Sequence, residues 1–591
     1  MIRPLFTLLI LISALTPAAV VARVPLMQHS HELAQHAPPL VNSTIGDPSG
    51  LVTSYYSFGA YQPKLPSVKP DVVVIANNVV FNNTGPTPYT VSVIIPDVNY
   101  SLGVLNVSIR EYGGAQYDRP VYVFADGVPI FWGSTQEIYN STAASDVTLY
   151  ENMLRGNVTF QIVVVNYYDA SVGITGVYAV NVSLYLYPGA PPAGLPTEFI
   201  PLWVNPLGYS AVTLNPFQES FSEQVELPAG TYRAAALVYT EGGGNDEFWY
   251  ANEPATRSVL LYYNGFLADV VNPFETLYTG GVDLFYWKPM PSINALSFHN
   301  PYIAELTPLL ATGLNATLSV SVTNLAEAYE LTGSPFFSWT LSGALALWVN
   351  PSNPLLSGRL LTAKQVYFDS APIFNPSFSG EVYQEVGHYF LDYSATLSFE
   401  HGYENTQVVQ RGSFNAYQTL STLLESAVLN EQFSERATDT GIYNASIIFE
   451  GNYPVRLVYS AFATPITNPS VIPYKLVYAQ NGSISLGFNV LYESSYASQN
   501  YTQSVNENLL ATGGFSAILE VINQYGGSVV LSLGTNYAQT TKTLIAEWLT
   551  DGQGIAERFQ ATAVSPNVTD SAGYYSTFSV SYVLVVPFEQ A

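Results

Sequence analysis

The chain has no cysteine. A disulfide framework, a thiol nucleophile and a thiolate zinc site are therefore excluded. Charge is also scarce: 10% of residues are Asp, Glu, Lys or Arg, against roughly 25% in an average globular protein. Basic residues are scarcest, 18 Lys and Arg against 44 Asp and Glu, for a formal net charge of −26. Such a chain has no basic surface for nucleic-acid phosphates or for anionic lipid headgroups. Past the N-terminus no run of about twenty uninterrupted apolar residues occurs, so no later span is expected. Disorder is not expected, because it needs high charge and low hydrophobicity, whereas charge is scarce and 48% of residues are hydrophobic. The polar surface falls instead to Asn, Gln, Ser, Thr and 44 Tyr. At roughly 100–200 residues per domain, the length suits about three domains. Few charges with a carboxylate excess also suit acid. As pH falls the carboxylates neutralise and self-repulsion drops, so a stability maximum well above about pH 6 would contradict acid tolerance.

The N-terminus reads as a secretory signal over residues 1–22. Arg3 supplies the positive start, Leu5–Leu15 the apolar stretch, and Val20-Val21-Ala22 a small residue suited to cleavage. The alternative, an uncleaved anchor, is disfavoured because the apolar stretch is short for a span. The expectation is a secreted, extracellular protein that leaves the membrane once the signal is removed. Twelve Asn-x-Ser/Thr sites follow, at Asn42, Asn82, Asn99, Asn106, Asn140, Asn157, Asn181, Asn315, Asn444, Asn481, Asn500 and Asn567. With a signal peptide they suggest a glycosylated exterior, although a chain rich in Asn, Ser and Thr also produces such sites by chance.

Alternation with period two dominates the pattern. From Val177 to Tyr187, Val180, Val182, Leu184 and Leu186 share one face, and Asn181, Ser183, Tyr185 and Tyr187 the other. Val158, Phe160, Ile162 and Val164 alternate likewise, as do Ala316, Leu318, Val320 and Val322. Each reads as a strand with one buried face, typical of antiparallel sheets. Asp126-Gly127, between two apolar runs, predicts a tight hairpin. Helical signal is sparse: short helices are expected at Asp146–Leu154 and Ala304–Ala311, and Leu420, Leu423, Leu424 and Val428 have helical spacing. The Pro-rich stretch Pro188–Pro196 and the Asn350–Pro354 segment read as boundaries. The expected fold is all-β: two antiparallel jelly-roll β-sandwiches packed side by side, over 38–188 and 200–350, and a β-rich C-terminal domain over 351–591.

Motif by motif, most known chemistry is missing. His31 and His36 are five apart, off the helical face that the four-residue zinc spacing needs, and with His29 they fit a loose N-terminal tail. His299, His388 and His401 are scattered. No G-x-S-x-G elbow occurs. Gly242-Gly243-Gly244 lacks the Lys-Ser/Thr of a phosphate loop and reads as a flexible loop. Two segments stand out: Tyr117-Asp118-Arg119-Pro120 and Asn245-Asp246-Glu247-Phe248-Trp249-Tyr250. Both set acids beside aromatics in a chain poor in charge. Carboxylates accept hydrogen bonds from sugar hydroxyls, and rings pack on sugar C–H faces. The same residues also fit solvated strand ends and core aromatics.

These segments resemble blocks of the peptide:N-glycanase A family of plants and fungi. The blocks are Tyr117-Asp118-Arg119 with Val121–Glu137, then Thr175–Tyr187, Thr231–Pro254 and Thr279–Pro289, in the family's order. The resemblance is good over roughly residues 65–350 and fainter over Phe399–Tyr459. It implies an amidase that hydrolyses the amide between the innermost N-acetylglucosamine of an N-glycan and an Asn side chain, and so acts on N-glycosylated peptides or glycoproteins. A monomer is expected. A distant likeness to bacterial peptide:N-glycosidase F implies a site between two jelly rolls. Carried over by position, Asp118 resembles the principal catalytic Asp and Glu247 the acid of the second domain. Arg119 resembles the neighbour that holds glycan or carboxylate, and Glu137 an acid of a Ser-Thr-x-Glu block. Asp246 joins the candidate substrate contacts, and Trp132, Trp249, Tyr250 and Trp287 are candidate sugar platforms. A third family carboxylate falls at Val165 here, and the family cysteines are absent. The implied chemistry needs no metal and no cofactor. One carboxylate takes the proton of water while a second, protonated, assists the leaving amine. Two other classes fit the composition: a non-catalytic secreted glycan-binding or cell-surface β-sandwich protein, and an endoglycosidase, since paired carboxylates serve that reaction too.

Overall fold

The computed structural model describes residues 42–46, 52–56, 66–113, 119–135, 140–170, 174–276, 301–370, 373–375, 380–420, 424–496, 499–521, 528–550, 555–564, 568–569 and 583–588. The signal segment, His29, His31, His36, Asp118, Glu137, Trp287 and His299 lie outside the described residues.

Alternation in the sequence becomes paired strand. In Val177–Pro188, Val180, Val182, Leu184 and Leu186 are fully buried, while Asn181, Ser183 and Tyr185 are half-buried. Each such aliphatic side chain contributes roughly 1.5–3 kcal/mol of transfer free energy. That strand lies between Tyr100–Tyr112 and Asp71–Phe81 in a six-stranded antiparallel sheet. Facing it is a four-stranded sheet in the order Tyr89–Ile95, Gly156–Val164, Pro120–Ala125, Val128–Ser134. The Asp126-Gly127 hairpin forms as expected. Both residues have positive φ, 46° and 82°, which matches the right-handed twist of the strands it joins. The Asp126 carboxylate accepts the Thr159 N–H at 2.9 Å, so it is a turn residue.

The second sandwich pairs a five-stranded sheet, built on Thr231–Gly244 and Phe337–Val349, with a four-stranded one. The four-stranded sheet runs in the order Ser220–Glu226, Asn315–Val322, Val259–Tyr263, Phe266–Val271. Among the described residues from Leu355 onward, every strand belongs to one 12-stranded antiparallel sheet with strands of up to 23 residues. Its inner face shares a hydrophobic core with the second sandwich, where Tyr389, Leu391 and Tyr453 pack with Leu267, Phe274 and Leu309.

The helical expectations need correction. Thr148–Tyr150 is a single 3-10 turn, and Ala304 lies in the strand Tyr302–Glu305, with a 3-10 turn following at Thr307–Thr312. Leu424 and Val428 lie in the strand Leu424–Gly441, because two full-length strand neighbours outweigh a helical spacing of four apolar residues. One α-helix, Leu325–Thr332, had no sequence signal. Among the described residues no helix is long and apolar enough to cross a membrane. Asn82, Asn99, Asn157, Asn315, Asn444 and Asn481 are exposed, and Asn106 and Asn181 are half-buried.

Candidate active site at the seam of the two sandwiches

The strand Pro120–Ala125 is apolar on both faces. Val121, Val123 and Ala125 fill the first sandwich. Tyr122 and Phe124 point the other way and are buried only because the second sandwich covers them, a reading that periodicity cannot supply. They form an aromatic seam with Trp132, Val163, Tyr209 and Tyr239. Tyr122 stacks on Trp132 at 3.7 Å between centroids, Phe124 on Tyr209 at 4.6 Å, and Trp132 lies 6.1 Å from Tyr239. The phenol tips are satisfied: Tyr209 donates to the Pro86 carbonyl at 2.8 Å, and Tyr150 and Tyr239 share a hydrogen bond at 3.2 Å. Tyr122 donates across the seam to Glu241 Oε1. Burial pushes the Tyr122 phenol well above its ordinary value, and the Glu241 charge pushes it the same way, so it stays a donor.

The described parts of the two segments join strands that line this seam. Arg119 immediately precedes the Tyr122 strand. Its N–H donates to Thr135 Oγ1 at 2.8 Å and its carbonyl accepts the Thr135 N–H at 2.7 Å. Its guanidinium lies 5.9 Å from the ring centre of Tyr167, which is 53% exposed. With Tyr168, also exposed, Tyr167 offers an open aromatic surface that the sequence reading passed over. On the other side, Glu241 lies in Thr231–Gly244, which runs straight into a 3-10 turn over Asn245–Ala251. Glu247 is half-buried in the first part of that turn.

The turn is locked by its buried acid. Asp246 accepts Arg257 Nε and Nη2, both at 2.8 Å, Trp339 Nε1 at 2.6 Å and Asn252 Nδ2 at 2.7 Å. Such a bidentate buried pair fixes orientation as well as charge. The glycines before it are equally constrained. A Cβ on Gly242 would lie 2.1 Å from the Asp246 carbonyl oxygen, and one on Gly244, where φ is +61°, 2.2 Å from that of Phe336. This corrects the flexible-loop reading: Gly242–Gly244 continue the strand, paired with Phe337–Trp339.

The other candidate contacts separate by burial. Asp246 is a structural carboxylate with its oxygens taken. Trp132, Trp249 and Tyr250 are each 1% exposed, so their rings are core and offer no open platform. Trp249 is further fixed by its Nε1 donating to Thr276 Oγ1 at 3.1 Å. Val165 is half-buried against the seam aromatics, and its N–H donates to the Pro120 carbonyl at 3.1 Å, beside Arg119. Glu241 was not singled out from sequence, although it ends the apolar run Ala234–Tyr239 as that strand's sole acid. Among the described residues no group of three or more His, Asp or Glu is placed to hold a metal ion. A groove of about 830 Å³ lies elsewhere, on the C-terminal sheet between Arg411, Gln432, Glu450 and Asn506.

Fold and seam together define a β-protein of antiparallel sandwiches joined by a buried aromatic seam. The model of the family described as peptide N-acetyl-beta-D-glucosaminyl asparaginase amidase A matches residues 62–365, just over half of the chain. The chain belongs to this family. The peptide-N4-(N-acetyl-beta-glucosaminyl)asparagine amidase A of Prunus dulcis is 27% identical over 285 residues, covering 42% of this chain and 48% of that protein. The chain thus spans about half the length of the curated relative it matches. Among solved structures, PNGase F, a glycosylasparaginase from Flavobacterium meningosepticum, aligns with a TM-score of 0.33 at 13% identity, covering 48% of this chain and 96% of that one. PNGF-II aligns with a TM-score of 0.35 at 14% identity, covering 48% and 66%.

Proposed function

We propose that the chain is a secreted amidase that hydrolyses the bond between the innermost N-acetylglucosamine of an N-glycan and its Asn side chain, leaving Asp on the peptide. The observation that carries this reading is the family match across residues 62–365, which includes both acid-bearing segments flanking the Tyr122–Glu241 seam. Asp118 takes a proton from water as the oxygen attacks the amide carbon. The C–N bond then breaks, and Glu247, protonated, gives its proton to the departing glycosylamine. Arg119 offsets the negative charge that develops on the amide oxygen. Tyr167, carried beside the Arg119 guanidinium, is the open ring on which a sugar face can pack.

Mass spectrometry of one digested glycopeptide tests the reading. The expected product is a sugar-free peptide with Asp in place of Asn. A peptide that keeps one sugar on Asn would indicate an endoglycosidase, and an unchanged, tightly bound glycopeptide a binding module.

A further inference from the structure

The seam is largely aromatic and apolar, and Glu241 places a carboxylate in it. Tyr122, which donates to that carboxylate, is held by its stack on Trp132 and by burial. It is three residues from Arg119 in the chain and lies opposite Val163 in the ladder. Glu241 is as firmly placed. Its backbone is in register with Thr340, and three glycines with no room for a side chain at positions 242 and 244 join it to the Glu247 turn. The Tyr122–Glu241 hydrogen bond therefore ties the strand that follows Arg119 to the strand that precedes Glu247 across the two sandwiches. It also sets a carboxylate on a seam whose first-sandwich face presents Val163 and Val165.

We infer that Glu241 is a positioning residue for amide hydrolysis, holding the strand that follows Arg119 in register with the strand that leads into the Glu247 turn, through Tyr122. This inference rests on the amidase reading above. Its physical basis is orientation: two acids carried by different sandwiches act together only if their separation is fixed, and misplacement by about 1 Å can cost on the order of a hundredfold in rate. An acceptor alone satisfies the Tyr122 hydroxyl, so the amide of a Gln can replace the carboxylate.

The test is steady-state kinetics on a glycopeptide with wild type, Tyr122→Phe, Glu241→Ala, Glu241→Gln and Asp118→Asn, below the melting temperature of each. Tyr122→Phe and Glu241→Ala should lower kcat by about 10- to 100-fold with KM within about threefold. Glu241→Gln should restore kcat to within about threefold of wild type, with an unaltered pH profile. A merely structural role would lower Tm in Tyr122→Phe and Glu241→Ala but leave kcat near wild type, and would overturn the inference. Loss in Glu241→Gln as deep as in Glu241→Ala would overturn it too, since it would make Glu241 a proton carrier. In both cases an active wild type and an inactive Asp118→Asn would leave the amidase reading standing. A wild type that releases no glycan would remove both.

Discussion

Raising the pH from about 5 to about 7 should loosen the contact between the second sandwich and the C-terminal sheet. Carboxyl groups meet there with few cations. From the strand Leu424–Gly441 come Glu431, Glu435 and Asp439, all buried. The second sandwich contributes Asp269, which accepts Gln410 Nε2, and Glu305, which Arg233 grips through Nε at 3.0 Å and Nη2 at 2.8 Å. Glu385 accepts Asn324 Nδ2 at 2.8 Å, and Asp369 and Glu404 complete the group. Burial raises Asp269, Asp369, Glu404, Glu431, Glu435 and Asp439 above the ordinary carboxylate range, and neighbouring acids push most of them the same way. Glu431 is the cleanest case: burial, then Glu385, lifts it from 4.5 to about 8. A carboxyl raised in the folded state contributes stability that is complete below its unfolded value and is lost as pH climbs to the folded one. At about 1.4 kcal/mol per pH unit for one proton, Glu431 alone accounts for about 2–3 kcal/mol lost between about pH 5 and pH 7. Urea unfolding at a series of pH values reads this directly. Glu431→Gln, neutral at every pH, should flatten the slope by about 1.4 kcal/mol per pH unit. Stability that is level or rises over this range, or a variant with the wild-type slope, would refute the argument.

Other perturbations probe the site's scaffold. Asp246→Asn leaves Arg257 buried without its counter-charge and should cost about 3–5 kcal/mol, read as a lower Tm, because an unpaired buried cation is far worse than a paired one. Gly242→Ala pushes a Cβ into the Asp246 carbonyl oxygen. It should reduce glycopeptide turnover more than it reduces Tm, since the strain falls on the Glu247 turn. Tyr167→Ala removes an exposed ring and should raise KM for a glycopeptide severalfold with Tm unchanged, as circular dichroism melts would show.

What was legible in the sequence followed from local rules. Val180, Val182, Leu184 and Leu186 announce a one-sided strand because side chains alternate whatever the tertiary context. Asp126-Gly127 announces its hairpin because few residue pairs tolerate two positive φ angles. The misreadings arose where a distant element decides the outcome. Trp132, Trp249 and Tyr250 looked like sugar platforms beside acids. Trp132 is core because the second sandwich covers the outer face of the first, and Trp249 because it packs among Trp339, Tyr250 and Thr276. Gly242–Gly244 suggested flexibility, yet the close approach of the Asp246 and Phe336 carbonyls makes them rigid. Glu241 passed unnoticed because its importance lies in Tyr122, 119 residues away in the chain.

The central claim is that water, activated by Asp118, attacks the side-chain amide of a glycosylated asparagine. Digestion of a single N-glycopeptide in heavy-oxygen water, with wild type and Asp118→Asn compared at equal foldedness, measures it. The account predicts one heavy oxygen in the newly formed aspartate with wild type and an intact glycopeptide with the variant. An unlabelled asparagine still bearing a sugar, or full conversion by Asp118→Asn, would contradict it.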